Sequence, residues 1–296
     1  MSAGRTRHAI AQPDLADIGG MRILHDVGAI CGVRIFDVGQ GDAVAILGVV
    51  DNVEKSVLLL DYGGREGNPF DPNTLVDRHM PVVEGQLLML SHWDEDHWCA
   101  AKKGMQASHA KWLVPRQLTS PRAVRFSSQL DNIHCVPERL VGSPRRFRAS
   151  NDDAVWWEKI GAFPGVFAKD EDCNRTGVAL AVVARPPNSP GEAILLAGDA
   201  PFDKVGIFRQ LRQSGVRLRG LVAFHHGAGT HWTRATGELI RNWPSIGQVD
   251  VVFSCSETNS YGHPDEDRYR DLLPYATFRR TATARGTNAP WIDLRF

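Results

Sequence analysis

The chain has 296 residues, 43% hydrophobic and 23% charged, which is enough apolar material for one large domain or two small ones and argues against a disordered chain. Lys plus Arg and Asp plus Glu number 34 each, so bulk charge argues neither for nor against a polyanionic partner, and local clusters carry that question. Five scattered cysteines without a Cys-x-x-Cys pair argue against a disulfide framework or thiolate zinc site, no apolar run approaches the ~20 residues needed to span a bilayer, and no apolar signal segment opens the chain. The expectation is a cytoplasmic protein with no membrane partner.

Residues 1–20 are polar and without period, and are expected to be a mobile arm ahead of one domain over 21–296. Cys31 to Val38, then Gly39-Gln40-Gly41-Asp42, then Ala43 to Leu47 reads apolar, turn, apolar, which is a hairpin. Asp37 and Asp42 are read as turn residues. Ser56 to Leu60 is a strand ending in Asp61-Tyr62-Gly63-Gly64, and Gly85 to Leu90 is a buried strand entering a loop. That loop is Ser91-His92-Trp93-Asp94-Glu95-Asp96-His97, with four potential metal ligands in six residues. Trp98 to Met105 reads as a short helix, Lys111 to Val114 as a strand, and Pro121 to Asn132 as a helix opened by Ser120-Pro121. Residues 135–172, rich in Pro, Arg and Trp, are expected to be an irregular insertion or substrate-facing loop.

The second half repeats this style. Gly177 to Ala184 and Ala193 to Ala197 are predicted strands, the latter ending at Gly198-Asp199. Phe202 to Ser214 is a helix, and Leu221 to Phe224 a strand ending at His225-His226-Gly227. Thr233 to Asn242 is a helix, Val249 to Ser254 a strand running toward Tyr261-Gly262-His263-Pro264, Asp265 to Leu273 a helix, and Ala289 to Phe296 a strand. This is an α/β pattern whose strands end on chemically loaded loops, so that one sheet edge could gather the ligands. Two metals a few ångströms apart need about this many ligands and a shared carboxylate, and Asp199, alone after a buried strand, is the natural bridge. On spacing alone Asp199 would serve equally as the N-cap of the following helix. Asp94 supplies a hard oxygen donor, which shifts preference from zinc toward manganese or magnesium.

Six segments together resemble the metallo-β-lactamase superfamily: Phe36 to Ala43, Leu60 to Gly63, Ser91 to His97, Leu196 to Asp199, His225 to Gly227 and Tyr261 to Pro264. The loop looks like that family's His-x-His-x-Asp-His motif with Asp94 in place of the second His. Within the superfamily the chain looks most like the domain of DNA-uptake (competence, ComEC-type) proteins, and the segments span Arg34 to Pro264. The resemblance implies a single-domain, four-layer αβ/βα sandwich. It implies a first divalent metal on His92, Asp94 and Asp199 and a second on Asp96, His97, Asp199 and His225, with manganese or zinc favoured and magnesium an option. Where many members place one more His before the equivalent of Asp199, this chain has Asn174, as the competence-type branch does. His109 and His134 are the other candidates.

Around this core, Asp96 is expected to be catalytic as well as a ligand. His226 is assigned to substrate or proton transfer, and His263 to protonating a leaving oxygen or binding phosphate. Asp61 is expected to orient a ligand His, and Lys102 to touch substrate. Trp93 and Trp98 default to core packing, with base stacking as the alternative. Basic and aromatic residues interleave at Arg145, Arg146, Phe147 and Arg148, at Arg122, Arg125 and Phe126, at Lys102 and Lys103, and at Arg279, Arg280 and Arg285. The reading that follows is a metal-dependent phosphodiesterase, a nuclease acting on DNA by metal-activated water, with a protein partner as a source of specificity. Two alternatives stay open: a zinc hydrolase of lactams, lactones or thioesters, and a non-catalytic metal-stabilised binding module.

Overall fold

A computed structural model describes residues 8–10, 12–16, 23–64, 82–83, 85–102, 106–168, 172–185, 188–230, 232–257, 262–284 and 289–296. The first half supplies β1 (His8–Ala9), β2 (Ala29–Phe36), β3 (Ala43–Val50), β4 (Val53–Tyr62), β5 (Leu87–Met89), β6 (Lys111–Val114), β7 (Leu118–Thr119) and β8 (Ile133–Cys135). The second supplies β9 (Arg145–Arg148), β10 (Ala154–Lys159), β11 (Val178–Ala184), β12 (Glu192–Leu196), β13 (Arg217–Val222), β14 (Ser245–Phe253) and β15 (Thr277–Arg280), and β16 (Trp291–Arg295) follows. Two seven-stranded sheets result, ordered β16-β2-β3-β4-β5-β6-β8 and β15-β14-β13-β12-β11-β10-β9, while β1 and β7 form a separate pair. Each sheet has a parallel part: β4 to β6 with β8 in one, β12 to β15 in the other.

Side-chain alternation along the strands sorts the apolar residues into three clusters, and three interfaces mean four layers. Leu58 and Leu60 point toward the second sheet and Leu59 points away; Ile194 and Leu196 likewise face the first sheet while Leu195 does not. The middle cluster therefore lies between the sheets, joining Ile46, Leu60 and Met89 to Val155, Leu180 and Leu196. On the outer face of the first sheet Leu59 and Trp112 pack with Phe126 of α1 (Pro121–Ser127). On the outer face of the second, Leu195 and Leu221 pack with Phe208 of α3 (Gly206–Gln213), Leu239 of α4 (Arg234–Arg241) and Tyr269 of α5 (Glu266–Leu272); α2 (Cys173–Thr176) is a single turn ahead of β11. This is the expected αβ/βα sandwich.

Several boundaries differ from expectation. The segment 135–172 is not irregular throughout: β9 and β10 lie in it and extend the second sheet, because Phe147, Val155 and Trp157 reach the middle layer while Trp156, Arg146 and Arg148 alternate outward. Two strands so rich in Arg and Trp carry a weak β signal in sequence. The first predicted helix is a 3-10 turn at Cys99–Lys102, with 103–105 outside the described residues. The helix predicted to reach Asn132 stops at Ser127, where Ser127 and Ser128 hydroxyls donate to the carbonyls of Val124 and Arg125 and compete with the helical ladder. Of the expected mobile arm, 1–7, 11 and 17–20 lie outside the described residues, whereas Ile10 and Leu15 are buried and β1 is paired. β15 has no counterpart among the predicted elements.

Leu180, fully buried at the centre of the middle layer, is expected to tolerate truncation badly. Leu180→Ala should lower the unfolding free energy by about 2–5 kcal/mol in a denaturant titration, whereas Phe167→Ala, at a side chain that is 97% exposed, should change it by under ~0.5 kcal/mol.

Candidate metal centre

The chemistry gathers where the parallel strands of both sheets end, the edge at which α/β proteins leave a crevice. β4 ends on Asp61, β5 runs into the loop carrying His92 to His97, β12 into Asp199, and β13 into His225 and His226. The two halves thus contribute facing ligand sets.

The loop after β5 is clamped by backbone. A Cβ on Gly63 would lie 1.8 Å from the Asp96 carbonyl oxygen and one on Gly41 2.2 Å from it, so only glycine lets β3 and β4 close on the loop. From the other half, the Val178 amide donates to the Ser91 carbonyl at 2.7 Å. Asp61 is fully buried and takes three donors: the Ser91 amide at 2.7 Å, the Ser91 hydroxyl at 2.7 Å and His97 Nδ1 at 2.9 Å. A carboxylate only accepts, so His97 carries its proton on Nδ1 and turns Nε2 toward the cluster. The Ser91 hydroxyl, its proton committed to Asp61, accepts from His92 Nδ1 at 3.0 Å, which fixes that imidazole the same way. Asp61 is thus in the orienting position expected of it. Ser91 went unremarked in the sequence, and its place between β5 and His92 was the available signal.

Asp199 sits at the centre. Its Oδ1 lies 3.3 Å from His97 Nε2 and 3.7 Å from His226 Nε2, and its Oδ2 lies 3.5 Å from both His92 Nε2 and His225 Nε2. Asp96 Oδ2 lies 3.3 Å from His226 Nε2. His92 Nε2, His97 Nε2, both His226 nitrogens and Asp199 Oδ1 are buried without a hydrogen bond. Such atoms are costly unless something else satisfies them. Ligand atoms of His92, His97 and Asp199 come within 4.8 Å of one another, as do those of Asp96, His97 and His226, and of Asp42, Asp199 and His226. Imidazole nitrogens and carboxylate oxygens at such spacing fit a divalent cation.

Three placements differ from the sequence reading, and Trp93 takes its default place in the core. His226 is 1% exposed and belongs to the tight groups, whereas the His225 side chain is 24% exposed and lies at the rim. The cause is the backbone: His225 and His226 both adopt left-handed conformations, φ 49° and 54°, which turns the second ring inward. This strain, on the order of 1–2 kcal/mol per residue, is tolerated where the surroundings overdetermine it. Asp42, read as a turn residue, is buried with its Oδ1 3.8 Å from His226 Nδ1. Asp94 lies 3.5 Å from His92 Nε2, but its side chain is 57% exposed. Trp93 cannot stack a base: it is 1% exposed, its ring N–H donates to the Pro115 carbonyl at 2.9 Å, and its amide donates to Gln117 at 3.1 Å.

Asn174 on α2 is buried and shares a small cleft with Ser91, His92 and Asp199. His109 is mostly exposed with its ring 3.3 Å from Asp131, and neither it nor His134 belongs to the groups above. His263 stands at the rim, its ring 5.7 Å from that of His225 and 6.5 Å from that of His226; Tyr261 lies outside the described residues. Lys102 bonds Glu95 at 2.9 Å, on the outer side of the loop.

Electrostatically the centre attracts positive charge. Burial and the neighbouring His97 push the His92 imidazole down, but the close carboxylates of Asp199 and Asp94 carry it up to about 10. His226, opposed by burial and favoured by Asp199 and Asp42, rises to about 9. Asp199 itself, against its burial, is held well below the carboxylate range by His97, His92 and His226. Burial pushes Asp42 up, with His226 and His97 offsetting part of the rise. The site holds protons where it could hold metal.

No family model matches the chain, and no curated protein matches its sequence. Solved structures do. A diphosphatase of the PhnP family is similar over 83% of this chain and 94% of its own, at 12% identity and TM-score 0.42. The subclass B3 metallo-β-lactamase MEM-A1 from a soil metagenome library is similar over 67% of this chain and 77% of its own, at 14% identity and TM-score 0.34. The metallo-β-lactamase MIM-1 from Novosphingobium pentaromativorans is similar over 67% of this chain and 74% of its own, at 13% identity and TM-score 0.32. Among the described residues no helix is long and apolar enough to cross a membrane.

Two outcomes are expected of metal titrations by calorimetry. His226→Ala should weaken divalent-cation binding more than His225→Ala, and Asp61→Asn should weaken it about 10–100-fold through lost orientation. The pH dependence follows from the raised imidazoles. Their protons stabilise the cation-free fold fully below about pH 6.5, and that contribution fades as pH rises through about 9 for His226 and about 10 for His92. A cation displaces those protons, so its affinity should keep rising from pH 7 to 9, with proton release, rather than levelling off near pH 7.

Proposed function

We propose that the chain is a metal-dependent phosphodiesterase, a nuclease acting on DNA. The observation that carries this reading is the buried, unbonded set of His92 Nε2, His97 Nε2, His226 Nε2 and Asp199 Oδ1 around carboxylates from both halves. His92, Asp96, His97, Asp199 and His226 would hold a pair of divalent cations, with Asp94 and His225 completing the shell at the rim. Asp199 is suited to bridge, because its two oxygens face different imidazoles. The mixed imidazole and carboxylate donors suit manganese or zinc, with magnesium as the other candidate. Bound there, such cations supply Lewis-acid polarisation of a phosphoryl oxygen and an activated water. The sequence resemblance to the competence-type domain points to DNA rather than to another phosphate ester.

The chain's own groups then have distinct tasks. Asp61 and Ser91 hold the two loop imidazoles in one tautomer and one orientation. Asp42, behind His226, keeps that ring turned inward. His263 is pushed down first by burial and then by the charges of His225 and His226, so it stays neutral at pH 7. From the rim it can exchange a proton with a leaving oxygen. Specificity beyond the phosphodiester is assigned to the surface around the rim or to a protein partner.

The test is hydrolysis of single- and double-stranded DNA, RNA and bis(p-nitrophenyl) phosphate by metal-stripped protein resupplied with manganese, magnesium or zinc. Metal-dependent cleavage is expected, with DNA preferred, and Asp96→Ala or Asp199→Ala should lower the rate by at least about 100-fold. Turnover of a chromogenic lactam or thioester without phosphodiester cleavage would establish small-molecule hydrolysis instead. Tight metal binding with no turnover of either class would establish a binding module.

A further inference from the structure

Most of the basic residues are absorbed by the fold. Arg145, Arg146 and Arg148 lie on β9, the edge strand of the second sheet, where exposed charge guards an open edge, and Arg146 packs over the Trp156 ring. Arg279 pairs with Asp250 at 2.8 Å and Arg280 with Glu266 at 3.0 Å. Lys103 and Arg285 lie outside the described residues.

Lys102, Arg122 and Arg125 are different. With Phe126 and Gln129 they line an open cavity of about 330 Å³. Arg122, Arg125 and Gln129 stand three and four residues apart along and just past α1, which places them on one face. The floor is rigid. Lys102 Nζ sits 4.7 Å over the Trp98 ring, Trp98 stacks on Phe126 at 4.7 Å, and both rings are buried. Three cations face one carboxylate: Glu95 accepts from Lys102 at 2.9 Å and from Arg122 at 3.3 Å, and Arg125 has no acidic partner among the described residues. Glu95 is the residue between Asp94 and Asp96 in the metal loop. The carboxylate that pairs with two of the cavity's cations is thus the chain neighbour of two candidate ligands.

We infer that this cavity is a second phosphate subsite, which receives a backbone phosphate of a nucleic-acid strand whose neighbouring phosphate is held at the metal centre, with Glu95 pairing with two of its cations in the substrate-free protein. The inference rests on the phosphodiesterase reading and adds the polymer to it. Guanidinium forks match phosphate oxygens two at a time, which Glu95 can only partly imitate. The cavity is open and its arginines are exposed, Arg122 by 61% of its side chain, which suits a strand that continues past the site better than an enclosed small ligand. A phosphate entering between Arg122 and Arg125 displaces Glu95 and frees Lys102 to turn toward the strand.

Binding of labelled, cleavage-resistant 20-residue phosphorothioate DNA and 2′-O-methyl RNA, followed by anisotropy across a salt series, tests this. The double variant R122A/R125A is expected to weaken binding by at least tenfold and to make the slope of log K against log salt shallower by about 0.7 per lost phosphate contact. E95Q should bind several-fold tighter. R146A/R148A, on the far edge strand, should match the wild type in slope, and circular dichroism checks that each variant is folded. Equal slopes in wild type and R122A/R125A would overturn the inference. So would wild-type protein that ignores both polymers, or one in which inorganic pyrophosphate binds and the polymers do not. The DNA and RNA arms name the strand. Wild-type turnover of bis(p-nitrophenyl) phosphate with manganese reports separately on the metal-centre reading, because that diester carries a single phosphate and has none for a second subsite.

Discussion

The site depends on one buried carboxylate. Asp61 receives both donors of Ser91 and the Nδ1 proton of His97, and through Ser91 it also fixes His92. Without that anchor two imidazoles could choose either nitrogen to present, and the close approach of glycine backbone to the Asp96 carbonyl would hold a loop whose side chains were free to turn. With it, each loop imidazole turns its Nδ1 to the protein and its Nε2 to the crevice. Asp61 lies at the end of β4, beside the strand that feeds the metal loop, so the anchor is built into the sheet rather than added by a distant loop.

The second constraint is charge. Asp42, Asp96, Asp199 and three imidazoles share a small buried volume, and each imidazole is raised because carboxylates surround it. Burial alone would drive the charged forms out, so this arrangement is stable only as a balanced set. Positive charge, whether protons or metal, is part of that balance. The exposed Asp94 and the partly exposed His225 and Asp96 put the accessible side of the cluster at the rim, where His263 also stands.

The convergence of strand-end loops was legible in the sequence because it is local. An apolar run followed by His, Asp or Gly marks a strand leaving the core, and the position of the polar residue marks the edge. What was not legible depends on backbone geometry or on contacts far apart in the chain. Which of His225 and His226 turns inward is decided by two left-handed residues that no periodicity reveals. Asp42 reaches the cluster because its neighbour Gly41, just ahead of β3, closes on the Asp96 carbonyl, a contact between segments far apart in the chain. Ser91, read only as the first residue of the loop, relays a hydrogen bond from His92 to Asp61. For Trp93 the sequence leaves core packing and base stacking both open, and the bond from its ring N–H to Pro115 decides for packing. β9 and β10 escaped notice because Arg and Trp dominate them, and alternation becomes visible only once the middle layer is known to sit on one side.

β16 pairs with β2, joining residues as far apart as Arg34 and Asp293, which are separated by 259 positions. The first sheet therefore cannot be completed by the first half of the chain alone. Loop-closure entropy makes so distant a pairing slow to form, and the ligands of the crevice come from both sides of that closure. During synthesis on a ribosome, the segment bearing His92 to His97 emerges long before the one bearing Asp199 and His226. A metal ion met at that stage would find half a cage and an exchangeable, open coordination shell. Tight capture of a cation at the proposed centre would wait for the ligands of the second sheet, so metal binding would follow folding rather than guide its first steps.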